Sequence, residues 1–401
     1  LLSEQDLALL DQSPGREEYV EGSLVFEGQT VQPVGIRYKG NWGAFSQCAE
    51  YLPGQYPAET PLGPKTCTKL SIKVAINFPK DSGALFYGLK KLQFHAMNAD
   101  NSLMRERLGY ALFNEMNVPA PRVVHARLLV NGRLEGLFAL VEQIDGRFTR
   151  GRFTDGGAGN LYKEIWPKHS DPQAYINALE SNTAENPSAE RILRFKAAIE
   201  SGNGVDAIDG WMDLEHQMRY IAVDRTIEND DGIFHWWCNE TGMGRNPAVL
   251  GDPNAHGNHN YYWYEETNAD RLWLIPWDLD FAFRGDTTLT PIMTPWNETN
   301  VECVCGGNPV VPQMPPGCDR LTQHWATLYD RYLEYVREFL QGPFNQQNVN
   351  AKLDRWAVQV DAAVQEQAAT THNGTHLSYE MWQLQLNDFR NQIIPDLRNQ
   401  S

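Results

Sequence analysis

The chain has 401 residues, 42% of them hydrophobic and 21% charged. This is an ordinary globular balance, and the length suits two lobes or two domains, because one core rarely grows past roughly 250–300 residues. The formal net charge of −17 argues against a nucleic-acid partner, since phosphate backbones repel such a surface, and favours cations and basic polypeptides. No apolar run approaches the roughly 20 residues that span a bilayer. The chain opens at Leu1 without a Met, which is what removal of a leader would leave.

Residues 1–30 are polar, with one short helical candidate. VGIRYKG (34–40) alternates like a strand and ends on a Gly40-Asn41 turn signal. Residues 43–68 are rich in Gly, Pro and Cys and are expected to form a loop stapled by Cys48 and Cys67. KLSIKVAINF (69–78) alternates again, with Lys69, Ser71 and Lys73 on one face and Leu70, Ile72 and Val74 on the other. From Ser102 a helix is expected, because Met104, Leu108, Ala111, Leu112 and Met116 recur at helical spacing; Val118-Pro119 stops it. Asn131-Gly132 between apolar runs predicts a hairpin.

Residues 150–205 carry loop residues and one or two helices. A helix over 211–228 buries Leu214, Met218, Ile221 and Ala222. A polar loop (239–259) precedes the strands HNYYWYEE and RLWLIPWDLDFAF; 286–318 is a Pro/Cys loop, and helices are expected over 319–340, 346–368 and 378–398. A sheet-rich first part followed by a helix-rich second part gives a bilobal α+β architecture. Its boundaries fall at 1–145 and 146–401.

Six cysteines, Cys48, Cys67, Cys238, Cys303, Cys305 and Cys318, fit up to three disulfides and an oxidising compartment. Reduced thiols in a cytosolic protein are the alternative. Sequons at Asn239, Asn297 and Asn373 matter only in a glycosylating host.

The chemistry is concentrated in LIPWDLDFAF (274–283), an apolar run that carries Asp278 and Asp280. On a strand these two share a side. There they repel each other unless a cation lies beside them. Oxygen-only ligation favours magnesium or manganese; a solvated strand end is the bland alternative. Upstream, ENDDG (228–232) follows a helix, where a turn is the ordinary explanation. Asn260 begins the strand expected to pair with the Asp278 strand. A catalytic carboxylate, an amide oxygen and a metal carboxylate at one hairpin mouth is the set that phosphoryl transfer requires. Lys73 on a strand and Glu106 on the following helix occur in the order that holds nucleotide phosphates, and Arg37 and Lys39 could add contacts. Taken singly, each of these is more often a solvated surface charge.

With these residues in place, the chain resembles the spore coat protein H (CotH) kinase family, an atypical branch of the protein-kinase-like fold. The matching stretches are IRYKGN (36–41), KLSIKVAINF (69–78), 89–122, LVNGRLEGLFALVEQID (129–145), GNLYK (159–163), NDDG (229–232), HNYYWY (259–264) and IPWDLDFAF (275–283). The resemblance implies Asp231 as the catalytic residue and Asn260 and Asp278 as magnesium ligands, with Asp280 as a second-metal or supporting ligand. Lys73, Glu106, Arg37, Lys39 and Glu142 form the candidate nucleotide-binding set, with Lys69 and Lys163 as rival lysines. Residues 234–257 depart from the family pattern as an insertion between Asp231 and Asn260. This leaves Asp230 a competitor of Asp231, and Asn258 a competitor of Asn260.

The implied activity is transfer of the ATP γ-phosphate to serine or threonine of secreted, envelope or surface proteins. ATP and Mg2+ (or Mn2+) are the cofactors, a basic, Ser-rich protein is the substrate, and the kinase is a monomer. The alternatives are a non-catalytic surface adhesin or binding module, an adenylyltransferase, and a glycosyltransferase that uses Asp278-x-Asp280.

Overall fold

The period-two alternation of the first third of the chain becomes a sheet. The computed structural model describes residues 1–40, 42–45, 48–50, 52, 63–80, 82–181, 187–238, 256–283, 294–307, 312–370 and 377–401. Strands β1 (Val20–Phe26), β2 (Gln29–Tyr38), β3 (Ile72–Ala75), β4 (Lys91–His95), β5 (Val123–Val130) and β6 (Arg133–Val141) pair antiparallel in the order β1-β2-β3-β4-β6-β5. They belong to a compact unit of Leu1–Arg107, Arg122–Gln143 and Lys352–Phe389. The same unit holds α1 (Glu4–Gln12) and α2 (Trp42–Phe45), and α3 (Arg105–Glu115) begins in it.

One face of this sheet is a core of Tyr38, Ile72, Val74, Leu92, Phe94 and Phe138, joined by Leu70. Cross-strand partners share a face, and the register Arg37↔Lys73↔Gln93 therefore puts these three on the opposite face. Lys39 and His95, two residues further along their chains, follow on that face. The expected hairpin turn is present, with Asn131 at φ 50° and Gly132 at φ 80°, the left-handed pair that a two-residue hairpin loop needs.

The second unit comprises Leu108–Pro121, Ile144–Ala351 and Arg390–Ser401. Its strands are β7 (Leu161–Lys163), β8 (Leu179–Ser181), β9 (Trp236–Cys238), β10 (His256–Gly257), β11 (Tyr261–Glu266), β12 (Arg271–Pro276) and β13 (Gln313–Met314). They form one sheet in the order β12-β11-β7-β8 and a smaller one in the order β10-β9-β13. Helices α4 (Gly146–Arg152), α5 (Pro172–Asn177), α6 (Glu190–Ser201), α7 (Leu214–Thr226), α8 (Arg320–Ala326) and α9 (Tyr329–Gln341) belong here. The last helices of the chain are α10 (Gln346–Ala369), α11 (Tyr379–Asp388) and α12 (Ile394–Gln400).

Asp213 caps α7 by accepting from the His216 N–H. Leu214, Met218, Ile221 and Ala222 are buried as expected, but so are Tyr220, Val223 and Asp224. A helix buried on nearly every side belongs to a core rather than a surface.

All six cysteines are paired: Cys48–Cys67, Cys238–Cys305 and Cys303–Cys318. Among the described residues no helix is long and apolar enough to cross a membrane. Most of the insertion 234–257, the sequons at Asn239 and Asn373, and Asn41 of the Gly40-Asn41 turn lie outside the described residues.

Candidate active site

The NDDG loop follows directly from the end of α7. Asn229 is buried and donates from Nδ2 to the Asp224 carboxylate at 2.9 Å, while its backbone N–H returns to the Asp224 carbonyl at 3.1 Å. Asp224 is fully buried, and that desolvation pushes its carboxyl pKa up against the opposing pull of Arg225. Gly232 packs on this pair. A Cβ there would lie 2.5 Å from Asn229 Nδ2 and 2.8 Å from Asp224 Oδ1. The loop thus places Asp231 by a buried polar anchor two residues before it and a tight glycine one residue after it.

Asp231 and Asn260 are brought together. Asn260 Nδ2 donates to the Asp231 carbonyl at 2.9 Å and to its carboxylate Oδ2 at 2.8 Å. The other carboxylate oxygen, Oδ1, lies 2.7 Å from Nε2 of His259. Asp231 stays partly exposed, whereas Asp230 is buried. Asn258 donates instead to the Ile233 carbonyl at 2.7 Å, and its Oδ1 is buried without a hydrogen-bond partner among the described residues.

The mouth of the β11–β12 hairpin joins Asn260 to the Asp278 segment, because Trp277 N–H donates to the Asn260 carbonyl at 3.0 Å. Asp278 comes next, with its N–H donated to the Tyr110 hydroxyl at 2.8 Å. Here one expectation is corrected. Asp278 and Asp280 do not share a strand face: β12 ends at Pro276, Asp278 is left-handed at φ 53°, and Asp280 sits in a short 3-10 turn over Leu279–Phe281. Left-handed backbone cannot continue a ladder, so the i, i+2 argument lapses.

Three adjacent strands finish alike at this edge. Glu164 after β7, Asn260 before β11 and Asp278 after β12 have φ values of 50°, 64° and 53°. The Asn260 N–H faces Glu164 Oε1 at 3.3 Å. Non-glycine residues seldom adopt this conformation, and where they do they concentrate at functional sites. The nearby Tyr262 hydroxyl is held far above its usual pKa, first by burial and then by the charges of Glu180, Glu164, Asp278 and Asp145. Carboxylates thus gather around this edge, the kind of field in which a divalent cation is favourable.

The donor set fits such a cation. Asp278 offers carboxylate oxygens. Asn260 spends its amide nitrogen on Asp231, which leaves its carbonyl oxygen as the ligand atom.

The candidate nucleotide-binding residues lie in the first unit, on or just past its strands except for Glu106 on α3. Lys73 is central in β3, opposite Arg37 and Gln93. Arg37 pairs with Glu17 at 3.0 Å and lies over the Tyr19 ring. Lys39 Nζ is 2.6 Å from His95 Nε2, and His95 Nδ1 is 2.8 Å from Glu106 Oε1. Glu142 is held by Arg122 in a two-pronged ion pair at 2.7 and 3.1 Å, the form that fixes a carboxylate in place.

The rival Lys69 is buried, donates to the Leu137 carbonyl at 2.5 Å, and has its pKa lowered to about 7 by desolvation. Lys163 lies 3.6 Å from Glu164. Sequence reasoning missed His95 and His259. His259 directly precedes Asn260 and could have been suspected; His95 carries no local signal.

The family model described as CotH kinase protein matches residues 36–394, and the chain belongs to that family. It is a kinase-like protein with the α+β organisation expected of one. Among curated proteins, inner spore coat protein H of Bacillus subtilis (strain 168) is 20% identical over 212 residues, covering 50% of this chain and 52% of that protein. An inner spore coat protein H-like protein of the same organism is 41% identical over 51 residues, 13% of this chain and 17% of that one. The chain spans about half, or less, of the length of these relatives.

Among solved structures, the Helicobacter pylori proinflammatory kinase CtkA is similar at 10% identity and a TM-score of 0.27, covering 79% of this chain and 92% of that one. The Shewanella oneidensis HipA–HipB–operator complex is similar at 12% identity and a TM-score of 0.25, covering 95% and 66%. Neither likeness is close enough to carry an argument about this chain.

Proposed function

We propose that this protein is a magnesium- or manganese-dependent phosphotransferase that moves the γ-phosphate of ATP to serine or threonine of secreted or surface proteins. One observation carries the reading: Asp231, Asn260 and His259 form one hydrogen-bonded group at the strand edge that also presents Asp278. Asp231 is the acceptor for the hydroxyl proton of the substrate. Asn260 orients that carboxylate and, with Asp278, holds the metal; Asp280 supports the same segment. The metal, when bound, neutralises the phosphate charge. Arg37, Lys39 and Lys73 supply positive charge for phosphates, and Glu106, through His95, holds Lys39 in place.

The net charge of −17 supports a basic substrate, since opposite charge steers encounter. Three disulfides support an extracytoplasmic location.

The test is transfer of labelled γ-phosphate from ATP, with magnesium or manganese, to the protein itself and to a basic Ser-rich protein. Wild type is expected to label phosphoserine or phosphothreonine, and Asp231→Ala to lose this by a factor of about 10² or more. Asp278→Ala should stay folded, at a cost of about 1 kcal/mol for alanine in left-handed backbone, yet lose metal-dependent ATP binding. ATP binding without transfer by wild type would make the protein a binding module or an adenylyltransferase instead.

A further inference from the structure

We infer that His95 is a positioning residue, a neutral bridge that ties the Lys39 ammonium to Glu106 and so sets Lys39 against the nucleotide phosphates. The inference rests on the phosphotransferase reading and adds to it a residue and a lysine assignment. Lys39, His95 and Glu106 lie in sequence on the exit of β2, the last residue of β4 and the first turn of α3. Their contacts form one chain, Lys39 Nζ to His95 Nε2 at 2.6 Å and His95 Nδ1 to Glu106 Oε1 at 2.8 Å.

The chemistry of these atoms fixes their roles. An ammonium only donates, so Nε2 of His95 accepts. The remaining proton is then on Nδ1 and is donated to the Glu106 carboxylate. A protonated imidazole would turn an N–H toward an ammonium, which the 2.6 Å separation forbids. His95 therefore carries no net charge, and the negative charge of Glu106 reaches the lysine through a polarised ring.

The surroundings hold each member in register. The Lys39 N–H donates to the Ser71 carbonyl at 2.8 Å, and the Ala96 N–H donates to Ser71 Oγ at 2.9 Å, so one residue of the neighbouring segment sets both ends of the bridge. Asp100 receives the Arg105 and Ser102 N–H groups at 2.8 and 2.9 Å, which fixes the start of the helix that carries Glu106. His95 and Glu106 are both buried while Lys39 is half-exposed. The acidic and neutral members are thus locked inside, and the cation is the member presented outward.

The test is ATP and adenosine affinity, measured by calorimetry with magnesium, for wild type, Lys39→Ala, His95→Ala, the double variant and His95→Gln. Phosphate contact through Lys39 predicts that His95→Ala weakens ATP by about tenfold or more, the range of one charge-assisted hydrogen bond, and leaves adenosine unchanged. The double variant should bind ATP no more weakly than Lys39→Ala alone. His95→Gln, which keeps an acceptor for the lysine, should fall between His95→Ala and wild type and keeps the question open to measurement if the alanine variant misfolds. Equal loss of ATP and adenosine, or independent losses from Lys39→Ala and His95→Ala, would overturn the bridge and leave the phosphotransferase reading intact. Failure of wild type to bind ATP would overturn both.

Discussion

Gly232→Ala gives the sharpest check on how the NDDG loop is held. Gly232 does not have a positive φ, so alanine meets no backbone penalty there. What it meets is packing, with its methyl 2.5 Å from Asn229 Nδ2 and 2.8 Å from Asp224 Oδ1. Relief requires Asn229 to leave Asp224, and the bond lost is one to a fully buried carboxylate. Hydrogen bonds to charged groups contribute about 1.5–3 kcal/mol, and that is the destabilisation expected.

Asn229→Ala removes the same bond without adding a methyl and should cost a similar amount. Arg225 still pairs with Asp224 at 2.7 Å in either variant, so the loop loses its anchor but not all charge compensation. Because both changes delete one interaction, the double variant should cost no more than the larger single effect, within about 0.5 kcal/mol. Urea unfolding followed by tryptophan fluorescence measures all three. Phosphate transfer should fall with them, because Asp231 sits between the two perturbed positions. A Gly232→Ala protein with the wild-type midpoint and activity would refute the argument, as would strictly additive losses.

Other outcomes follow from burial and covalent closure. His216 is buried with Nε2 against the Leu274 carbonyl at 3.1 Å, and desolvation lowers its pKa to about 4. The unfolded chain then binds the extra proton, so stability should fall as pH drops from about 6.5 toward 4, and His216→Leu should lessen that slope by up to about 1.4 kcal/mol per pH unit, the share of one histidine. Cys238–Cys305 and Cys303–Cys318 close spans of 67 and 15 residues. Loop entropy predicts a loss of about 4 kcal/mol for replacing the first pair by serine and about 3 for the second, readable as a shift in urea midpoint.

Much of this was legible in the sequence, for reasons that can be named. Alternation correctly set Ile72 and Val74 apart from Lys73, because a strand leaves a side chain only two faces, but β3 covers only Ile72–Ala75 of the 69–78 run, and Lys69 is buried over the Phe138 ring. Asn131-Gly132 declared its turn because few residues accept left-handed backbone twice running. The α7 stripe was found, though its burial on nearly all sides was not, since periodicity reports one face only. What stayed hidden was long-range.

Nothing local in KLQFH marks His95, whose partners lie in β2 and α3. The NDDG glycine looks like an ordinary turn until Asp224 is known to pack behind it. LIPWDLDFAF misled for the opposite reason: its apolar residues continue the strand pattern on paper, while the left-handed Asp278 ends it in space.

The closing of the inserted segment at its base has a wider consequence. Cys238 pairs with His256 across β9 and β10 and is bonded to Cys305. The two ends of the segment are thereby held to each other and, through the disulfide, to Cys305. A clamp of this kind separates the spacing of the two ends from the number of residues between them. The spacing of Asp231 and Asn260 is then insensitive to how many residues intervene, since closure entropy rises by only about 0.6 kcal/mol per doubling of length. Two residues far apart in sequence can therefore act as neighbours, and a family can vary what surrounds its chemistry while the chemistry stays put.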